Sequence, residues 1–107
     1  MQDYKYWVYI TTNPKKTILY IGVTNNLRLR LSQHFENRGN VKTFAGKYFC
    51  YNLVYYEEFK YIDKAIAREK QLKKWTRKKK NWLIELKNPK LTFKNILFSE
   101  DELAKNK

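Results

Sequence analysis

Two short stretches near the start of the chain, Tyr6 to Thr12 and Thr17 to Val23, are dense in β-branched and aromatic residues, the composition of a strand. Between them stands Asn13-Pro14-Lys15-Lys16, with an asparagine suited to open a turn and a proline that presets its φ. An antiparallel hairpin is expected, and a symmetric four-residue loop would set Tyr9 opposite Tyr20 on one face. Thr24-Asn25-Asn26 then offers side-chain oxygens for a helix N-cap. The helix should run from about Asn26 to Asn37, with Leu27 and Leu31 on its buried stripe. Arg30 and His34, at the same spacing of four, share an adjoining face. Arg38-Gly39-Asn40 would stop it.

Val41 to Lys47 is polar and contains glycine, which reads as a loop; Phe49 to Phe59 reads as a third strand. A second helix is expected from about Asp63, capped by that residue. Ile62, Ala65, Ile66, Glu69, Leu72 and Thr76 form its apolar stripe. A third helix spans Thr76 to Leu86 and closes at Asn88-Pro89, because the residue before proline is pushed out of the helical region. Beyond it, Phe93, Ile96, Leu97 and Phe98 suggest partial packing. Ser99-Glu100-Asp101-Glu102 resembles a capping box. Residues 1–98 are therefore read as one domain and 99–107 as a short helix or frayed tail.

Composition narrows the partner. Lysine and arginine total 23 against 10 acidic residues, a formal charge of +13. Such a field draws polyanions, so nucleic acid is the first candidate partner, with affinity that falls as salt rises. Hydrophobic residues at 43% leave enough apolar surface for a folded core. The lone cysteine, Cys50, lies among Phe49, Tyr51 and Leu53 and reads as a buried thiol of a reducing compartment. One cysteine and one histidine exclude the usual zinc sites. No apolar run suits a membrane span or a signal region, and a cytoplasmic location is the expectation.

Individually the polar candidates are bland. Aromatic residues in strands usually pack, and a helix arginine is usually solvated. Glu69 differs, because a carboxylate on an apolar stripe needs a cation, a metal or hydrogen bonds to offset its desolvation. Arg68, Arg30 and a metal ion are its candidate partners. Arg68 is the less suited by geometry, since sequence neighbours point about 100° apart on a helix.

Together, these positions resemble the GIY-YIG nuclease superfamily. Tyr20-Ile21-Gly22 reproduces the second half of the signature, whereas Trp7-Val8-Tyr9 keeps only the tyrosine of the first. The stretch from Tyr20 to His34 is similar to the family's second motif, with Arg30 and His34 in place. Ala65 to Trp75 is similar to the segment carrying its metal-binding glutamate, here Glu69, and Asn88-Pro89 matches its terminal asparagine motif.

The resemblance implies an α/β (α+β) fold, a small three-stranded antiparallel sheet flanked by three to four helices. It also implies hydrolysis of phosphodiesters, DNA first among them, with one Mg²⁺ or Mn²⁺ ion held by Glu69. Tyr9, or alternatively Tyr20, would accept the proton of the attacking water. An ordinary phenol titrates near 10, so metal and Arg30 would have to lower it. Arg30 would neutralise the phosphoryl oxygens, and His34 would relay a proton or orient the phosphate. Asn88 would orient the glutamate or a substrate phosphate, or equally cap the third helix; Lys73, Lys74 and Arg77 form a candidate phosphate-tracking surface, Tyr48 and Lys47 are weaker substrate candidates, and Trp75 and Trp82 are read as core anchors. The small size leaves room for a separate targeting partner, and the alternative to catalysis is a nucleic-acid-binding module that keeps only the fold.

Overall fold

The computed structural model describes residues 5–98. Strands β1 (Tyr6–Thr12), β2 (Leu19–Thr24) and β3 (Asn52–Phe59) form an antiparallel sheet in the order β2-β1-β3. The expected hairpin is present, but its register differs. Asn13 is the cause. Its side-chain oxygen accepts hydrogen bonds from the Thr17 and Ile18 backbone N–H groups at 2.8 and 3.0 Å, and its carbonyl accepts from Lys16 N–H at 2.9 Å. The loop therefore takes up residues 13–18, and Thr12 pairs with Leu19. Tyr9 stands opposite Gly22, and Tyr20 opposite Thr11. Because this shift is of two residues, both tyrosines still project from the same face.

Helices α1 (Leu27–Glu36), α2 (Phe44–Lys47), α3 (Ile62–Lys73) and α4 (Arg77–Lys87) complete the described residues, with a last 3₁₀ turn at Asn95–Phe98. Asn26 caps α1 through a hydrogen bond from Leu29 N–H, and Thr76 caps α4 through one from Lys79 N–H, as their side-chain types suggest. Two local readings are corrected. The segment read as a loop contains α2, capped by Thr43, whose hydroxyl oxygen accepts from Gly46 N–H at 3.0 Å. Helix α3 begins one residue before Asp63, at a Tyr61 cap that makes no side-chain bond.

Alternation along the strands sorts the core into two halves. Val8, Ile10, Ile21, Val54 and Tyr55 meet Ala65 and Leu72 of α3 and Leu83 and Ile84 of α4. On the other face Tyr9 and Leu53 meet Leu27 and Leu31 of α1. A bulge assists this division. Ile10 pairs with Tyr55 and Thr11 with Leu53, so Val54 is the extra residue and both Leu53 and Tyr56 turn toward α1. Each buried leucine contributes about 1.5–3 kcal/mol.

The α3 stripe is narrower than its pattern suggested, since Ile62 and Ile66 are exposed and only Ala65 and Leu72 are buried. Trp82, read as a core anchor, is 53% exposed, whereas Trp75 packs partly against the core. Phe93, Ile96 and Leu97 are exposed as well, leaving Phe98 to pack edge-on against Tyr56. Cys50 is fully buried, as expected. The helix anticipated at Ser99 lies outside the described residues.

Candidate active site

Gly22 explains why the second tyrosine motif ends as it does. A Cβ at that position would lie 2.5 Å from Tyr9 Oη and 2.6 Å from Cζ, closer than packed atoms allow. The glycine leaves a slot on β2 in which the Tyr9 ring lies across the sheet, and Tyr9 is fully buried. Its hydroxyl reaches α1, where it shares a 2.7 Å hydrogen bond with His34 Nε2. Helical spacing puts Arg30 one turn before His34, so the same face delivers a guanidinium to this pair.

Tyr20, diagonal to Tyr9, packs against both partners. Its ring centroid is 6.2 Å from Tyr9 and 5.3 Å from His34, the latter edge-on. Together Tyr20, Arg30 and His34 line a cavity of about 220 Å³. Its opposite wall is Thr43, Phe44 and Ala45 of the α2 segment, with Gln33 and Asn37 of the α1 side completing it. Phe44 continues the aromatic series, stacked on Tyr20 at 6.2 Å and tilted against Tyr48 at 4.8 Å. These wall residues went unread in the sequence because Val41–Lys47 lacked periodicity. The signal available was a threonine placed three residues before Gly46, the spacing of a cap.

The electrostatics keep the inner pair neutral. Burial raises the Tyr9 phenol well above its usual range, Tyr20 adds to the rise, and the nearby Arg30 charge only partly opposes it. Arg30 therefore acts in the expected direction on this phenol, but burial and Tyr20 outweigh it. Burial also lowers the His34 imidazole to about 4, helped by repulsion from Arg30. At neutral pH one proton lies between two uncharged groups, and Tyr9 is a donor or acceptor of a hydrogen bond rather than a phenolate. It does not line the cavity, whereas Tyr20 does.

The remaining expected residues fall elsewhere. Glu69 sits on α3, whose core contacts are on the sheet face opposite α1. Its carboxylate meets Lys73 Nζ at 3.5 Å, one turn on, and not Arg30 or Arg68. Arg68 instead forms a two-pronged pair with Glu57 of β3, both contacts at 2.9 Å, and Tyr55 donates its hydroxyl to the same carboxylate. Burial opposes ionisation of Glu57, but Arg68, Tyr55 and Lys87 outweigh it and hold the carboxyl below the usual range. No group of three or more His, Cys, Asp or Glu side chains is gathered among the described residues. This is compatible with the single protein carboxylate that the family resemblance implies for a divalent cation. Glu69 fits that requirement in donor type, being a hard oxygen ligand with a side chain still 16% exposed and a loose lysine contact that a cation can displace.

Of the two readings of Asn88, substrate contact or helix cap, the structure has the cap: Asn88 ends α4, its backbone N–H bonded to the Ile84 carbonyl, and its side chain is a structural tie. It is 4% exposed; its amide donates to the carbonyls of Val54 and Thr92, each at 2.9 Å, and its oxygen accepts from Thr92 N–H at 3.0 Å. Both amide hydrogens are used. Arg77 is similarly engaged, donating to the Thr17 carbonyl at 2.9 Å and to Asn81 at 3.0 Å, so it fastens α4 to the hairpin loop. Tyr48 caps α2 and touches the cavity only through Phe44, with Lys47 Nζ 5.3 Å from its ring. Lys73 and Lys74 lie exposed at the end of α3. Trp75 is flanked by Arg68 and Lys79, whose charges lie 5.3 and 4.2 Å from its ring.

Comparison with known proteins bears on the family and the fold. Residues 5–81 match the model of the GIY-YIG catalytic domain. A UPF0213 protein of Bacillus pumilus (strain SAFR-032) is 40% identical over 67 residues, which cover 63% of this chain and 66% of that protein. The solution NMR structure of a UPF0213 protein from Bacillus halodurans shares the fold at a TM-score of 0.50 and 24% identity, over 80% of this chain and 88% of that one. The sheet with its flanking helices, the Tyr20-Ile21-Gly22 motif and the family match lead to one assignment: the chain belongs to the GIY-YIG catalytic domain family, a nuclease-type family.

Proposed function

We propose that this chain is a metal-dependent endonuclease that hydrolyses DNA phosphodiester bonds, in the cytoplasm and in a repair or recombination setting. The observation that carries the reading is the cavity in which Tyr20, Arg30 and His34 converge. A phosphate held there meets the Arg30 guanidinium, which can offer two parallel donors to its oxygens and offset charge as the phosphorus becomes five-coordinate. The Tyr20 hydroxyl, on the cavity wall, would accept the proton of an incoming water as it gives up its own. His34, uncharged at neutral pH, orients the phosphate or takes the proton onward. Tyr9 holds that imidazole from behind through its 2.7 Å bond. Members of the family generally depend on a divalent metal; Glu69, which does not line this cavity, is the carboxylate that would hold Mg²⁺ or Mn²⁺, and the bound ion would supply Lewis-acid charge.

The test is a nicking assay on plasmid and branched DNA with Mg²⁺ or Mn²⁺, beside Glu69→Gln and Arg30→Ala. Loss of one transition-state donor of this kind lowers kcat by about 10²–10³, so Arg30→Ala should fall at least that far. Wild-type protein that cleaves no better than both variants refutes the reading.

One observation favours a second reading, a nucleic-acid-binding module without catalysis. Glu69 is paired with Lys73 on a helix whose core contacts lie across the sheet from α1. Salt-dependent binding unchanged by Glu69→Gln, together with no metal uptake by titration, would select it.

A further inference from the structure

Part of the cavity wall has no role in phosphate chemistry. Phe44 is 52% exposed although Tyr20 and Tyr48 cover part of its ring. An aromatic left half open at the mouth of a charged cavity is a surface for another flat ring. Its backbone is pinned. A Cβ at Gly46 would lie 2.6 Å from the Asn40 carbonyl and 2.7 Å from that of Asn37, so α2 sits directly against the end of α1. Gly39 N–H to Gly46 O and Cys50 N–H to Ala45 O, both 2.8 Å, lock it from the two sides. The ring is thereby presented with little conformational freedom to lose on binding.

The polar groups beside it are of a different kind from Arg30. Gln33 and Asn37 line the same cavity, and their carboxamides offer both donors and acceptors, the combination found on base edges rather than on phosphates. The volume, about 220 Å³, lies below the roughly 300 Å³ at which pockets for larger ligands begin. It suits a single ring system. A net charge of +13 supplies the long-range attraction for the strand that carries it.

We propose that the cavity includes a nucleobase subsite in which Phe44 stacks on an unpaired base next to the phosphate held by Arg30, with Gln33 and Asn37 at its edge. The inference rests on the phosphodiester reading above and deepens it, because a base inside a duplex is covered on both faces and cannot reach Phe44 without unstacking. The substrate class that fits is a strand with unpaired nucleotides: single-stranded, branched or gapped.

The test measures binding by fluorescence anisotropy with the full chain and no divalent metal, so that cleavage does not interfere. The probes are a labelled single-stranded oligonucleotide, the same strand with its bases replaced by abasic units, and the duplex. For wild type the single strand should bind more tightly than either of the others. Stacking strengths put the loss in Phe44→Ala at roughly 5- to 150-fold on the single strand, with the abasic strand changed less than about twofold and Phe44→Trp keeping the wild-type value. Running the strand as DNA and as RNA identifies which nucleic acid supplies the base, and a base-dependent loss in either supports the subsite. Equal weakening on the normal and abasic strands, or no change on either, overturns it. If base-dependent binding persists while the metal-dependent nicking assay fails, the nuclease reading falls and the subsite stands. Nicking retained with no base dependence gives the reverse.

Discussion

Replacing Gly22 with alanine tests the central packing relation of the site. The added methyl would lie 2.5 Å from Tyr9 Oη, 2.6 Å from Cζ and 2.9 Å from Cε1. Tyr9 has no open volume to retreat into, since it is fully buried against α1 and β3. The ring must move or β2 must part from β1, and overpacking of this kind costs about 1–3 kcal/mol. A displaced ring also loses its 2.7 Å bond to His34, worth a further ~0.5–1.5 kcal/mol. The sum, about 1.5–4.5 kcal/mol, is a large part of the roughly 5–15 kcal/mol that holds a domain together, yet leaves it folded in most of that range. Urea denaturation should show the loss with an unchanged m-value, and the Tm should fall by roughly 10–20 °C. An NMR titration of His34 supplies the local readout: the imidazole midpoint should move from near 4 toward the ordinary value of about 6.5 as its surroundings open. A Gly22→Ala protein within about 0.5 kcal/mol of wild type, with the His34 midpoint unmoved, would refute the claim that this glycine exists to seat the tyrosine.

Three further outcomes follow from individual residues. Because the folded-state value for His34 is depressed to about 4, the unfolded chain binds more protons between pH 4 and about 6.5, and stability should decline as pH falls through that window; His34→Gln should flatten this part of the urea-midpoint profile, and an equal decline in the variant would refute the assignment. Asn88→Ala strands the buried Val54 carbonyl, at about 1–3 kcal/mol, and frees the Thr92 carbonyl and N–H, which solvent can reach; calorimetry should register a lower Tm, while DNA affinity of the folded protein stays as it was. Cys50, fully buried and with its thiol pushed up to about 11, should resist alkylation at pH 8 until denaturant is added, and rapid labelling of the native protein would contradict its placement.

What the sequence determined by itself was local. Strand and helix positions other than α2 were legible because alternation, caps and spacing act over a few residues, as at Asn26, Thr76 and the Leu27–Leu31 stripe. The motif residues Tyr20, Arg30 and His34 were singled out by the family resemblance of their joint spacing, and they do line one cavity. The partner of Tyr9 was decided elsewhere. A side chain, Asn13, lengthened the hairpin loop and moved Gly22 into the place where Tyr20 had been expected. Competition between long-range partners also escaped the pattern: Arg68 pairs with Glu57, eleven residues away across the sheet, and leaves Glu69 to Lys73. Asn88 carries the residue type of a ligand contact, and only the approach of β3 and Thr92 uses up its amide. Spacing along the chain fixes which face of an element a residue occupies. Which groups then cross from one element to another depends on packing that no single segment contains.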